Sequence, residues 1–289
     1  MDEAGTSLQY LKDPNRLTKT LVLFLWIYLF SNVLGIVLDI NSISLLNDFK
    51  TGKVNEFELD QSNYIEALFG DIWLLLFTIT GIFFLKWIYR ANRNCRGFGA
   101  NDMRFSSGWS VGWYFIPVMN LFMPFKAMKE IWLVSIKGPE NWQIIDDAGE
   151  EKKGVIVLKL WWTLWTGALV LPLVLPNFQN SQNLEQLINV YYISVAHYFW
   201  QIILTLIAIK IVKTIQDNQN RLVSRAISFN QFPRKNETIN QVKEETSEEE
   251  IDDAVESYRN KTKADARKAK IITIVFTIII IIYSSKCLN

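Results

Sequence analysis

The 289-residue sequence predicts an all-α integral membrane protein. The expected architecture is four core transmembrane helices with a re-entrant or interfacial Trp/Pro segment, a cytoplasmic charged helix and a short C-terminal hydrophobic segment. Three observations predict this. Half of the residues are apolar, and most of them fall in long runs rather than in amphipathic stripes. The aromatic load of 11 Trp, 10 Tyr and 18 Phe suits rings gathered at lipid headgroup level. Basic clusters also follow alternate runs, as cytoplasmic loops do under the positive-inside rule.

Residues 1–16 form a cytoplasmic N-terminal tail, and residues 17–225 the membrane domain. The first span covers about 21–40, enough at about 1.5 Å per residue to cross a core of roughly 30 Å. It exceeds the apolar core of a signal peptide, and no small-residue cleavage site follows it, so it reads as an uncleaved anchor. Residues 41–71 are polar and acidic, as expected outside the cell. The second span, about 72–89, runs into Lys86, Arg90, Arg93, Arg96 and Arg104, which mark the cytoplasmic side.

The stretch 104–132 reads RFSSGWSVGWYFIPVMNLFMPFKAMKEIW. Pro117 and Pro124 each remove a backbone donor and disfavour helix before them. In hydrocarbon, such a break needs other protein or water to satisfy the freed carbonyls, so residues 108–136 are expected to be re-entrant or interfacial. Beyond Pro124, Phe125, Met128, Ile131, Trp132 and Ile136 recur at helical spacing opposite Lys126, Lys129, Glu130 and Lys137, the pattern of an interfacial helix. The third and fourth spans are about 155–175 and 191–212, the latter delivering Lys213, Arg221 and Arg225 to the cytoplasm. A full crossing by 108–125 would move Lys126, Lys129, Lys137, Lys152 and Lys153 outside, which the charge rule rejects.

Residues 226–270 form a charged cytoplasmic tail, acidic from Glu244 and basic from Arg259, with a Ser247/Glu250 capping box. Residues 271–285 are a C-terminal hydrophobic anchor or a fifth span.

WIYRANRN at residues 87–94 with GFGA after it, the stretch 104–132, and WWTLW at 161–165 together resemble the bacterial membrane family catalogued as domain of unknown function 4328, over about residues 17–225. The GW-x-x-GW-x-F-I-P-x-x-N-L-x-x-P pattern includes Trp109, Trp113, Pro117 and Pro124 as its structural motif. Ser107 and Lys126 depart from the family pattern. The resemblance implies a multi-pass bacterial membrane protein and supplies no catalytic residues; the expected place is the inner membrane, with the N-terminus cytoplasmic by the charge rule.

A single histidine, His197, cannot build a histidine metal pair, and Cys95 and Cys287 form no C-x-x-C motif. No catalytic residues, metal or cofactor are therefore expected. His197 and Gln201, one turn apart inside the fourth span, read as an interhelical hydrogen bond or a proton relay. Asp39 and Asp71 read as interfacial charges or as a cation site. The stronger constellation is Arg90, Arg93, Asn94, Arg104, Asn120, Lys126, Lys129 and Glu130, a basic pocket suited to an anionic lipid headgroup or a phosphate-bearing ligand. Its bland counterpart is a set of charges that only fix topology.

The expected partners are the lipid bilayer, such a headgroup, and a protein docking on residues 246–270. Nucleic acid is not expected, because the basic run 259–270 adjoins an acidic run and a membrane segment. The functional expectation is a non-enzymatic sensing, scaffolding or docking module. A channel or transporter for an ion or small solute is the alternative, and a lipid-modifying enzyme a distant one.

Overall fold

In the computed structural model the described residues are 13–143, 150–174 and 183–228. They form α1 (Asn15–Lys50), α2 (Glu56–Gly97), α3 (Trp109–Gly112), α4 (Met123–Lys137), α5 (Glu150–Val174) and α6 (Leu184–Ser228), with 3₁₀ turns at Trp113–Phe115 and Met119–Leu121. Among the described residues there is no strand. The expected charged tail beyond Ser228, the anchor 271–285 and most of the N-terminal tail lie outside them.

Three helices, Asn15–Lys50, Glu56–Gly97 and Leu184–Ser224, are long and apolar enough to cross a membrane. They outrun the spans expected from hydropathy, and the segment 41–71 is not an extended outer loop. α1 continues to Lys50 and α2 begins at Glu56, leaving residues 51–55 as the connection. Local chemistry sets that turn. Lys53 N–H bonds Asp48 O at 3.0 Å and Gly52 N–H bonds Phe49 O at 3.0 Å, a Schellman closure with Gly52 at φ +72°. Asn55 then caps α2 reciprocally: Glu58 N–H bonds Asn55 Oδ1 and Asn55 N–H bonds Glu58 Oε2, both at 3.0 Å.

α1 is patterned inside out. It exposes Leu23, Phe30 and Val37 while burying Asn32, Asp39 and Ser42, the arrangement expected when the surroundings are hydrocarbon. Two compact units divide the chain. The first comprises, of the described residues, 13–87, 150–174 and 183–217. Its helices are joined by polar side chains. Thr18 donates to Gln216 Oε1 at 2.7 Å, Trp73 Nε1 to Asn32 Oδ1 at 3.1 Å, and Trp161 Nε1 to Leu204 O at 3.1 Å. Ring stacking of Phe24 on Phe83 at 4.9 Å adds an α1–α2 contact.

The second unit comprises, of the described residues, 88–143 and 218–228. The segment expected as an interfacial helix is α4. α4 buries Ala127, Met128, Ile131, Trp132, Val134 and Ser135, so its apolar face is covered by protein instead of lying against headgroups. Gln219 bridges α2, α4 and α6, donating to Ala91 O at 3.2 Å and Ser135 Oγ at 3.2 Å beside Cys95.

Close approach in the first unit depends on Gly35. A Cβ there would lie 2.5 Å from Cζ of Tyr198, whose ring packs edge-on against Phe69 and Trp73 at 6.3 Å. Gly35→Ala is expected to cost about 1–3 kcal/mol by overpacking, read as a lower unfolding temperature in detergent. An unchanged temperature would show that Tyr198 yields freely.

Candidate functional site

The site is built on the loop that follows α2. Ala100 N–H bonds Cys95 O at 3.2 Å and Gly99 N–H bonds Arg96 O at 3.0 Å, so a second Schellman closure, with Gly99 at φ +104°, ends the helix. Arg96 then reaches forward, its Nη2 donating to Met103 O at 2.7 Å and to Phe105 O at 3.0 Å. Asn92 Nδ2 donates to the same Phe105 carbonyl at 3.2 Å, and Ser107 Oγ donates to Asn92 Oδ1 at 3.0 Å. From the other side Glu130 of α4 accepts Phe105 N–H at 3.4 Å. Asp102 accepts from Trp142 Nε1 at 3.0 Å and from Gln143. The loop 101–107 is thus held from α2, from α4 and from the segment after α4.

Two adjoining depressions open over this loop. One, of about 310 Å³, is lined by Arg104, Phe105, Trp109, Trp113, Met123 and Lys126. The other, of about 380 Å³, shares Arg104, Phe105 and Lys126 and adds Asp102, Lys129, Glu130, Leu133, Trp142 and Gln143. Together they make one amphiphilic groove: three cations, two acids and an aromatic wall. Trp109 and Trp113 stand with ring centroids 4.7 Å apart, and Trp109 is half exposed. Burial raises the Glu130 carboxyl above its usual value, against the opposing pull of the Phe105 and Arg104 backbone N–H groups and the nearby arginines.

Of the expected constellation, Arg104, Lys126, Lys129 and Glu130 come together here. The other four residues do not line the groove. Arg90 and Arg93 are half-buried on α2 with partners of their own. Asn94 is fully buried with neither side-chain atom hydrogen-bonded, and Asn120 Oδ1 is likewise buried without a partner. Asp102 and Trp142 join the groove unforeseen. Lys129 was legible, one turn from Lys126 on one helix, whereas Asp102 and Trp142 are brought in by a contact across 40 residues.

The proline-bounded turn closes mostly on its own backbone. Met119 N–H bonds Pro117 O at 2.7 Å around Val118 at φ 65°, ψ −53°, a γ-turn of the rare, strained hand. Asn120 N–H takes Ile116 O at 2.8 Å and Leu121 N–H takes Val118 O at 3.1 Å. Main-chain amides thus serve the carbonyls of Ile116, Pro117 and Val118. Pro117 is exposed and Pro124 buried, and Trp132, expected at headgroup depth, is buried too. His197 and Gln201 pair within α6 at 3.3 Å, with the imidazole edge-on to Trp73, so the hydrogen bond found is not interhelical.

Among the described residues an all-helical fold with three helices long and apolar enough to cross a membrane points to a membrane protein. The profile described as a domain of unknown function (DUF4328) matches residues 50–217, over half of the sequence, and the chain belongs to that family. The match begins at the last residue of α1. No curated protein and no solved structure matches the chain.

Two outcomes test this local physics. A β-branched residue at φ 65° is strained by roughly 1–3 kcal/mol, so Val118→Gly is expected to raise stability by about 1 kcal/mol despite a more flexible unfolded chain. Chemical denaturation in detergent reads it, and a loss would mean that the Val118 side chain is needed. For Glu130 the folded group holds its proton more tightly than the unfolded one. Stability relative to Glu130→Gln is therefore retained at low pH and lost as pH climbs from the ordinary carboxylate range through the raised value. Parallel melting curves of the two proteins at all pH values would contradict it.

Proposed function

We propose that the chain is a non-enzymatic module of a bacterial inner membrane, N-terminus cytoplasmic, that senses anionic phospholipid and presents its charged tail to a protein partner. In this reading α5 is a fourth core span. Its 25 residues extend about 37 Å, enough to cross a bilayer core of roughly 30 Å. Residues 108–125 are re-entrant, which keeps the basic groups after them on the cytoplasmic side. Residues 246–270 are the docking segment.

One observation carries the lipid reading: Arg104 and Lys126 line both halves of a groove whose other wall is Trp109, Trp113 and Phe105. A phosphate has two cations to meet, with Lys129 beside them, and the glycerol and first methylenes have an aromatic surface. Asp102 does not compete for the phosphate's cations, since both its oxygens accept from Trp142 and Gln143.

The test is tryptophan quenching in nanodiscs carrying brominated lipid. Brominated phosphatidylglycerol is expected to quench more than brominated phosphatidylcholine, with the excess lost in a Trp109→Phe/Trp113→Phe protein. At about 1 kcal/mol per surface cation, Arg104→Ala with Lys126→Ala should weaken the preference by roughly tenfold or more. Equal quenching by both lipids in the unaltered protein would remove the proposal.

A further inference from the structure

We propose that Asp39 and Glu66, with the hydroxyls of Ser42, Ser62 and Ser194, form a monovalent cation site inside the helical bundle, taking sodium or a proton. The inference is independent of the lipid groove. It concerns residues of the other compact unit.

Asp39 is 6% exposed on α1, and its Oδ2 atom is buried without any hydrogen-bond partner. Ser194 of α6 hydrogen-bonds its carboxyl, and Glu66 of α2 acts on it electrostatically. Glu66 in turn accepts from Ser42 Oγ and from Tyr191 Oη, while Ser42 Oγ lies 3.2 Å from Ser62 Oγ. Two carboxyl groups and three serines from three helices therefore share one polar layer. Tyr191 and Tyr198 of α6 also feel both acids.

The layer is closed above and below. Towards the α1–α2 turn, Ile43, Leu46 and Ile188 form a buried cluster packed by Leu59, Leu184 and Leu187. On the other side stand Tyr198, Phe69 and Trp73, the tyrosine ring seated against Gly35. Charge makes the layer a site. Neither the Lys50–Glu185 nor the Lys53–Asp48 ion pair reaches Asp39 or Glu66. Two close acids cannot both stay ionised in a low-dielectric bundle without a compensating charge.

Glu66 already accepts from two hydroxyl donors. Asp39 Oδ2 has none, and it is the atom left to bind a proton or to complete an oxygen shell around a hard cation. The hydroxyls of Ser42, Ser62 and Ser194 are neutral oxygens of the kind such a shell needs. Asp71, the other acid considered for a cation site, is exposed and takes no part.

The experiment uses the full chain in nanodiscs. Unfolding temperature and ²²Na binding are followed against sodium, potassium and choline at constant ionic strength from acid to alkaline pH, with infrared detection of protonated carboxyl. Sodium is expected to stabilise and bind, with apparent affinity falling about tenfold for each pH unit lowered where one proton competes, and Asp39→Asn is expected to abolish both effects. A titrating carboxylic-acid band lost in Asp39→Asn, without any sodium effect, identifies the proton as the ligand. If Asp39→Asn does not fold, Glu66→Gln serves, and failing both, sodium–proton competition in the unaltered chain decides. No sodium effect and no titrating buried carboxyl, or effects that persist in Asp39→Asn, would overturn the site.

Discussion

Backbone polar groups must be satisfied wherever this apolar, helical chain bends, and that constraint shapes each of its breaks. At 48–53 and again at 95–100 the helix closes its last carbonyls with a glycine in the left-handed region. At 116–122 no glycine is present. The chain there runs through a γ-turn at Val118 and a 3₁₀ turn, trading strain for closure. A chain surrounded by water could leave such carbonyls to solvent; one passing through hydrocarbon cannot.

The candidate groove is a consequence of the second of these closures. Gly99 turns the chain back along α2, which puts the carbonyls of Met103 and Phe105 within reach of Arg96, a cation on the last turn of the same helix. Once that guanidinium and Asn92 hold Phe105, Arg104 beside it is an exposed residue on a fixed frame. α4 starts at Met123 with Pro124 in its first turn and carries Lys126 and Lys129 in its first two turns, so the remaining cations reach the groove from a separate element.

Class and family were legible because they rest on long-range averages: apolar runs, their length, and a spaced Gly/Trp/Pro/Asn pattern. The extra turns of α1 and α2 were not read from composition, since residues 41–71 are polar. Their punctuation was nevertheless present in the sequence as Thr51-Gly52 and as Asn55 with Glu58 three residues on. Within the groove, cations on α4 could be placed by helical period. Asn94 could not, because i, i+3, i+4 spacing puts it on the Arg90/Arg93 face without telling whether that face is open or covered. Here it is covered.

The polar layer of α1 shows why hydropathy alone misses intramembrane chemistry. Asn32, Asp39 and Ser42 are spaced by seven and three residues, so on a helix they share one stripe, while Leu23, Phe30 and Val37 occupy another. Averaged over a window the apolar stripe dominates, and the polar one disappears. Its partners Trp73, Ser62 and Glu66 lie 20 to 41 residues away, and only the antiparallel return of α2 after a five-residue turn sets them opposite. A polar stripe facing inward brings helices together by hydrogen bonds that lipid cannot offer in exchange. It also leaves any acid in that stripe dependent on whatever charge the bundle admits, and so the packing of these helices and the ionisation of Asp39 are one problem.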